Sequence, residues 1–272
     1  MGFAIVSWAN KMELELLINN VRIPKGYPYL VINQEERTIL VGADYHLGYE
    51  VVLAEEEGYY VPQSQFELIM EELDTIVKTV KPDIFIVNGD LKHKFSRRTR
   101  QETREITEFL DYLSDNIEKT YIIRGNHDNF VRGLFNKYNN IEFIEYHLVI
   151  GDYLFTHGHH INGKIVDLMG DKVIVIGHEH PAILLYDDVG GKAKIPSFLY
   201  GKTKNGGYII VLPAVSPLMS GIEVNITPQN EFLSPYIRDY TVIENLTPIG
   251  LLRGKENLRF PNIGVLKEVY TE

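Results

Sequence analysis

The chain of 272 residues contains no cysteine, which removes one common means of stabilising a protein and one common kind of metal site. Disulfide bonds cannot form, and zinc sites built from thiolates are excluded. The absence of cysteine also fits a reducing compartment, where disulfides are rare. Any metal site in this chain must therefore use imidazole, carboxylate or amide ligands.

Long apolar runs are also missing, and no stretch reaches the roughly 20 residues that a membrane helix needs. The first nine residues, Met1–Ala9, are mostly apolar, but they carry no basic leader and are too short for a signal peptide. These features predict a soluble, cytoplasmic protein without a membrane partner.

An excess of positive charge is missing as well. The chain has 27 Lys and Arg against 37 Asp and Glu, so its formal net charge is -10. A protein held on nucleic acid by its overall charge would be basic, so we expect any nucleic-acid contact to be local. The one dense basic stretch contains Lys92, Lys94, Arg97, Arg98, Arg100 and Arg104.

The sequence is rich in short β-forming runs, many of them followed by polar residues. Continuous apolar runs of this length are typical of strands that are covered on both faces. The segment Leu14–Ile32 predicts further strands near the start of the chain. The predicted strands beyond it are Thr38–Ala43, Ile84–Val87, Tyr121–Ile123, Tyr153–Phe155, Val173–Ile176, Tyr208–Leu212 and Ile222–Ile226.

Two helices are predicted between the first three of these strands, at Ser64–Val80 and at about Thr99–Asn116. Each segment carries its apolar residues on one helical face. Each also begins with the spacing of a capping box, formed by Ser64 with Glu67 and by Thr99 with Glu102.

Alternation of strand and helix favours a sheet with helices on its faces, whereas the later strands lack long helices between them. We therefore expect an α/β fold in which two sheets pack together with helices outside. One domain is predicted, with an N-terminal strand extension (1–37), a catalytic core (38–226) and a C-terminal tail (227–272) packed on it.

Five of the predicted strands are followed by residues that bind metals. Strand ends of open α/β sheets face a common crevice, so we expect these residues to converge. Residues two apart in an extended chain point the same way, so Asp44 with His46, and His178 with His180, could each face one ion. The motifs are Asp44-Tyr45-His46, Gly89-Asp90, Gly125-Asn126-His127-Asp128, Thr156-His157-Gly158 and Gly177-His178-Glu179-His180.

Carboxylate, imidazole and amide ligands without sulfur suit Mn²⁺, Fe or Zn²⁺. A carboxylate has two oxygens and can bridge two cations, and Asp90 is the candidate bridge. Two ions about 3.5–4 Å apart could clamp a phosphoryl group.

These five motifs, in this order, resemble the motifs of the calcineurin-like metallophosphoesterases over about residues 39–181. The resemblance implies the α/β/β/α sandwich of that family and two divalent metal ions, with Mn²⁺ the expected ion and Fe or Zn²⁺ the alternatives. It implies one ion held by Asp44, His46, Asp90 and His180, and a second held by Asp90, Asn126, His157 and His178.

The resemblance also implies the catalytic roles. His127 would act beside the phosphate, either by protonating the leaving oxygen or by stabilising charge, and Asp128 would orient His127. A metal-bound hydroxide would attack phosphorus in line.

A narrower similarity links the chain to small phosphoesterases related to SbcD-type repair exonucleases and to DNA-ligase-associated phosphoesterases. It rests on four segments, Ala43–Gly48, Val61-Pro62, Gly89–His93 and Leu212–Ala214, and reaches about residue 226. It implies a catalytic role for His93.

The expected activity is hydrolysis of a phosphodiester, with a nucleotide or nucleic acid as a candidate substrate. Cations around a helix N-terminus are disfavoured by the helix dipole, which suggests that Lys92, Arg97 and Arg98 contact a substrate phosphate. Two alternatives remain open at this point. One is a phosphomonoesterase or protein phosphatase on the same scaffold, and the other is a non-catalytic interaction module that binds metal.

Overall fold

The computed structural model describes residues 12–56, 58–59, 62–186 and 189–269. Within them two β-sheets pack face to face, and helices cover the outer face of each sheet. This arrangement confirms the predicted α/β/β/α sandwich. The first eleven residues of the N-terminal extension and Val61, which belongs to the narrower resemblance, lie outside the described residues.

The first sheet has seven strands, whose order in the sheet is their order in the chain. The first four run antiparallel to one another, and the fourth to the seventh are parallel. The parallel strands therefore end at one edge of the sheet. The strands are β1 (Leu14–Ile18), β2 (Val21–Pro24), β3 (Leu30–Gln34), β4 (Arg37–Gly42), β5 (Ile84–Asn88), β6 (Lys119–Ile123) and β7 (Ile141–Ile144).

The second sheet has nine strands and is mixed. Its third strand is parallel to the second and sixth, and its longest strand pairs antiparallel with three neighbours. The strands are β8 (His147–Ile150), β9 (Tyr153–Thr156), β10 (Val173–Ile176), β11 (Pro181–Tyr186), β12 (Lys192–Lys202), β13 (Tyr208–Val211), β14 (Ile222–Glu223), β15 (Thr247–Leu252) and β16 (Glu256–Arg259).

Strands β8, β11, β12, β15 and β16 are not among the strands predicted above. Lysines, a proline and a serine interrupt the apolar pattern of β12, which is nevertheless the strand that joins β11, β13 and β15. The predicted C-terminal tail contributes β15 and β16 to this sheet, where β15 pairs with β12.

Six α-helices and three short 3₁₀-helices complete the described fold. The 3₁₀-helices are Arg132–Lys137, Gln229–Glu231 and Ile243–Asn245. The α-helices are α1 (Tyr49–Glu56), α2 (Gln65–Val80), α3 (Arg100–Asn116), α4 (Gly163–Leu168), α5 (Pro235–Tyr240) and α6 (Ile263–Val269).

Three apolar clusters hold these layers together. Helices α2 and α3 pack on the outer face of the first sheet, with Leu73 and Phe109 against Phe85. The two sheets meet through residues such as Ile86 and Phe155. Helices α4, α5 and α6 cover the outer face of the second sheet. Burial of apolar side chains in all three clusters fixes the relative position of the strand ends that carry the five motifs.

The two predicted capping boxes behave differently. At α3, Thr99 accepts the N–H of Glu102 and the Glu102 side chain accepts the N–H of Thr99, so this capping box is confirmed. At α2, the prediction is wrong, because the Ser64 side chain accepts no helix N–H. The first N–H of α2 is bonded instead to the Glu50 carboxylate at 2.9 Å, a partner from another helix that the local sequence cannot reveal.

A buried polar cluster between α1, α2 and α3 fixes the turn that carries His46. The Gln65 amide donates to the carbonyl oxygens of Tyr45 and His46 at 2.9 and 3.2 Å. Within the same cluster, the Gln101 amide donates to Glu105 at 2.6 Å. Burial raises the pKa of Glu105 from 4.5 to about 7.

The pH dependence of the free energy of unfolding should reflect the raised pKa of Glu105. Folded Glu105 keeps a proton that the unfolded chain releases above pH 4.5, so its contribution to the free energy of unfolding falls as the pH rises towards 7. Relative to the native chain, the Glu105→Gln variant should gain up to about 3 kcal/mol between pH 4.5 and pH 8. Urea unfolding at both pH values measures this gain.

The Glu108→Gln variant provides the control, because Glu108 lies on the same helix with its side chain 54% exposed. Its stability relative to the native chain should change little over the same pH range. If the difference in free energy of unfolding between Glu105→Gln and the native chain does not change with pH, Glu105 is not protonated in the folded state.

Candidate metal centre

The loops that follow β4, β5, β6, β9 and β10 bring the predicted ligands to one edge of the sandwich. A cleft of about 440 Å³ opens there, and His46, Asp90, Asn126, His178 and His180 line it. Asp44 and His157 lie nearby and are fully buried. The edge is held together by backbone links between the sheets, such as the bridge between Ala43 and Ala214.

One group of potential ligands consists of Asp44, His46 and His180, whose ligand atoms lie within 4.8 Å of one another. His180 Nε2 is 3.1 Å from Asp44 Oδ1. It is also 3.3 Å from His46 Nε2. The Asp44 carboxylate in addition accepts the backbone N–H of His178 at 3.0 Å, which ties the first motif to the fifth.

A second group consists of Asp90, His157 and His178, also within 4.8 Å of one another. His157 Nε2 is 3.3 Å from Asp90 Oδ2 and 3.2 Å from Asn126 Oδ1. His157 Nδ1 lies 2.9 Å from the Asn88 carbonyl, to which it donates, so Nε2 can present its lone pair.

Asp90 lies between the two groups. Its Oδ2 atom is 3.3 Å from His157 Nε2 in the second group and 3.8 Å from His46 Nε2 in the first. Its Oδ1 atom accepts the backbone N–H of His127 at 2.8 Å. One carboxylate therefore faces both groups, and it is fixed by a hydrogen bond from the third motif.

The chemistry of these atoms fits divalent cations. Two ligands bonded to one ion at about 2.1 Å, with angles of roughly 90–110°, lie about 3.0–3.4 Å apart. The observed contacts between ligand atoms, from 3.1 to 3.8 Å, fall in or near this range. The facing atoms are carboxylate or amide oxygens and imidazole nitrogens, which repel one another unless a proton or a cation lies between them.

The pKa values of the imidazoles agree with this fit. Burial lowers the pKa of His46 well below 6.5 and that of His178 to about 3, so both rings are neutral ligands at pH 7. Burial also acts to lower the pKa of His157, but the Asp90 carboxylate raises it to about 10. The negative charge of Asp90 that favours a proton on His157 also favours a metal cation between the two side chains.

The backbone of the motifs is strained rather than extended. Five predicted ligands have positive φ angles: Asp44 (59°), His46 (45°), Asp90 (51°), His178 (68°) and His180 (46°). Such a conformation costs a non-glycine residue about 1–3 kcal/mol and is frequent at functional sites. The chain is therefore not extended at these motifs, although Asp44 and His46 share one group as expected. The expectation that His178 and His180 face one ion is wrong, because they fall in different groups.

Two glycines are required by close approach. A Cβ atom on Gly89, whose φ is 94°, would lie 2.1 Å from His157 Nδ1. A Cβ atom on Gly125 would lie 2.1 Å from Asp90 Oδ1. Any side chain at either position would displace a predicted metal ligand, His157 or Asp90.

His127 and His93 both lie beside the first group. His127 Nδ1 contacts the carbonyl oxygen of His93, so this ring is held by a backbone acceptor. His93 Nδ1 is 3.2 Å from His46 Nδ1, and its ring centroid is 4.0 Å from that of Tyr49.

The Asp128 carboxylate bonds to backbone N–H groups and not, as predicted, to the His127 ring. Its carboxylate accepts the backbone N–H groups of Leu91 at 2.8 Å, Lys92 at 3.3 Å and Gly125 at 2.8 Å. Asp128 therefore joins the loop of the second motif to that of the third. The predicted orientation of His127 comes instead from the His93 carbonyl.

The three residues predicted to bind a substrate phosphate do not line the metal cleft. Lys92 has no exposed surface, and its ammonium group donates to the carbonyl oxygen of Lys94, so it does not face the cleft. Arg97 and Arg98 line a different cavity.

Glu179, between the two histidines of the fifth motif, is a structural anchor that the sequence analysis did not identify. It is 2% exposed, and its carboxylate accepts the N–H groups of Leu233 at 3.0 Å and Ser234 at 2.7 Å. Ser234 Oγ in turn donates to the carbonyl of Gly158 at 2.8 Å. This segment joins two ligand loops, and no local sequence signal marks the contact.

Comparison with known proteins gives one family. The family described as "Calcineurin-like phosphoesterase" matches residues 37–206, which includes all five motifs. No match was found among curated proteins.

None of the described helices is both long enough and apolar enough to span a bilayer.

A nuclease and a phosphoesterase are among the solved structures that this chain matches. The nuclease MPE from Pseudomonas putida is 18% identical over 85% of this chain and 100% of its own, with a TM-score of 0.53. The phosphoesterase Yfce from E. coli is 15% identical over 70% of this chain and 84% of its own, with a TM-score of 0.35. At these identities the likeness to the nuclease concerns the fold.

The anchor at Glu179 can be tested by stability. In a Glu179→Gln variant, the N–H group of Leu233 or the buried N–H group of Ser234 loses its acceptor, so the free energy of unfolding should fall by about 1–3 kcal/mol. Urea unfolding measures the loss. The control is Glu231→Gln, which makes the same substitution at an exposed position of the neighbouring 3₁₀-helix. Equal stabilities of the two variants would argue against the anchor.

Proposed function

The chain belongs to the calcineurin-like phosphoesterase family and is a metal-dependent hydrolase of phosphate esters, and from this premise we propose that it is a two-metal phosphodiesterase. One observation carries the proposal. The Asp90 carboxylate lies within 3.8 Å of imidazole nitrogens from both ligand groups, the position that a bridging ligand takes.

In this proposal each ligand group holds one divalent ion. The first ion takes Asp44, His46 and His180, the second takes Asn126, His157 and His178, and both share Asp90. Mn²⁺ is the proposed metal, because a set of oxygen and imidazole ligands without sulfur suits it, and Fe or Zn²⁺ are the alternatives. When bound, the ions polarise the phosphoryl group and lower the pKa of coordinated water.

The side chains of the protein supply orientation and proton transfer. His127 lines the cleft, and its Nδ1–H donates to the His93 carbonyl, which leaves Nε2 as the nitrogen available for proton transfer. We assign His127 the donation of that proton to the leaving oxygen. His93 and Asp128 are positioning residues, since His93 holds the His127 ring and Asp128 joins the second and third loops.

The charge of the cleft favours a diester over a monoester. No Lys or Arg is among the described residues that line it, and Lys92 is turned away. A monoester carries up to two negative charges at neutral pH, as a phosphorylated side chain does. A diester carries one charge, so fewer cations are needed to bind it. The family alone leaves open a phosphomonoesterase or a protein phosphatase, and this observation favours neither.

A substrate comparison tests the proposal. With Mn²⁺, we expect kcat/KM for bis-p-nitrophenyl phosphate to exceed that for p-nitrophenyl phosphate by about tenfold or more, equivalent to about 1.4 kcal/mol of transition-state stabilisation. Release of p-nitrophenol measures both. The reverse preference would support a phosphomonoesterase, and no turnover with Mn²⁺, Fe²⁺ or Zn²⁺ would support a non-catalytic module.

Two substitutions should separate proton transfer from metal binding. His127→Ala should lower kcat by about 10²–10⁴ while two ions remain bound, because His127 is assigned to proton transfer. Asp90→Ala should lower the metal content at both sites, because it removes the shared ligand. Metal analysis by mass spectrometry after gel filtration measures the stoichiometry.

Asp152→Ala is the control, since Asp152 is an exposed carboxylate in the turn between β8 and β9. It should change neither metal content nor turnover. Loss of metal from the His127 variant, or two ions in the Asp90 variant, would show that the roles are misassigned.

A further inference from the structure

A second cavity, of about 650 Å³, is lined by four arginines. Arg97 and Arg98 come from the loop before α3, and Arg100 and Arg104 come from its first turns. Glu55 is the one carboxylate among the described lining residues, and it already pairs with Lys94 at 3.0 Å. The cavity is therefore strongly positive, although the chain has a net charge of -10.

The positive charges in this cavity are poorly compensated within the described part of the chain. The guanidinium groups of Arg97 and Arg100 form no hydrogen bond or ion pair there. Arg98 donates only to neutral oxygens, among them the carbonyl of Phe130 at 2.9 Å. Arg104 reaches Glu105 and Glu108 only at 3.6 and 3.9 Å. Cations at a helix N-terminus also oppose the helix dipole, so a bound anion would relieve both costs.

Helix α1 connects the arginine cavity to the metal cleft. Tyr49 lines the cleft, and Glu55 lines the cavity six residues further along the same helix. A helix rises about 1.5 Å per residue, so the two positions are about 9 Å apart. Val51, one helical turn before Glu55, lines the cavity as well, so a strand of a few nucleotides spans the separation between the two sites.

Two exposed aromatic residues neighbour these sites, one beside a residue of the cleft and one beside a residue of the cavity. Phe95 is 58% exposed, and its ring centroid is 5.8 Å from that of His127. Phe130 is 69% exposed, and its carbonyl accepts the Arg98 guanidinium. Exposed aromatic rings beside a basic groove can stack on unpaired bases, whereas bases in a duplex are not accessible for stacking.

We propose that the arginine cavity binds a phosphate of a single-stranded oligonucleotide a few nucleotides away from the phosphodiester that is cleaved. This inference rests on the proposed phosphodiesterase function and names its substrate class. The cavity holds the distal phosphate, Phe95 and Phe130 stack on intervening bases, and the metal cleft receives the reacting phosphate.

The test compares substrates that can and cannot reach the cavity. We expect the ratio of kcat/KM for a single-stranded octanucleotide to that for bis-p-nitrophenyl phosphate to fall at least tenfold in the double variant Arg97→Ala/Arg100→Ala. The salt dependence of log KM for the octanucleotide should also become shallower, by about 0.7 for each phosphate that the variant no longer neutralises. For the native chain, KM should drop once the oligonucleotide is long enough to reach the cavity.

The control is Arg37→Ala/Lys78→Ala, which removes the same charge from exposed positions at the opposite end of the first sheet and at the end of α2. It should leave the substrate ratio unchanged. An equal fall in both double variants would mean that bulk charge binds the oligonucleotide, and no fall in either would mean that the cavity is not used. Both results overturn the inference.

Binding separates this inference from the proposed function. Fluorescence anisotropy of a labelled octanucleotide is measured with the Mn²⁺-loaded His127→Ala variant, in which cleavage is suppressed while both ions remain. Adding Arg97→Ala/Arg100→Ala to this variant should reduce the affinity at least tenfold, and adding Arg37→Ala/Lys78→Ala should not. If the native chain fails to cleave bis-p-nitrophenyl phosphate, the proposed function fails, and the anisotropy comparison still decides whether the cavity binds the oligonucleotide.

Discussion

Repulsion between lone-pair atoms at one edge of the sandwich is the constraint on which the rest of this structure depends. Carboxylate oxygens and imidazole nitrogens face one another at 3.1–3.8 Å in a largely buried setting. Such an arrangement is unfavourable unless a proton or a cation lies among these atoms. The fold must therefore hold the ligand loops rigidly enough that they do not relax apart.

Several interactions provide this rigidity. Five ligands adopt left-handed backbone conformations, which persist only where the surroundings fix them. Three side chains fix these conformations by hydrogen bonds to backbone groups of the ligand loops or of the segments that join the loops. They belong to Gln65, Asp128 and Glu179. None of the three is a proposed ligand, but each connects segments far apart in the chain. The apolar clusters on both sides of the sheets then keep the strand ends in register.

Charge is distributed unevenly around this edge. The chain is acidic overall, and no Lys or Arg is found among the described residues of the metal cleft, whereas four arginines line the neighbouring cavity. In the proposed function, the ions neutralise the reacting phosphate and the arginines neutralise a distant one. This division would let an acidic protein bind a polyanion at one place on its surface.

Local apolar patterns and residue types were enough to predict most of the parallel strands, the two long helices and the five motifs at strand ends. Which atoms face one another followed only from the folded chain. The carboxylates of Asp128, Glu179 and Glu50 find backbone partners distant in sequence, and Lys92 is buried rather than exposed. Strands β12 and β15 likewise form because each pairs with partners from elsewhere in the chain. Contacts between distant segments have no local signature, so packing, rather than pattern, set them.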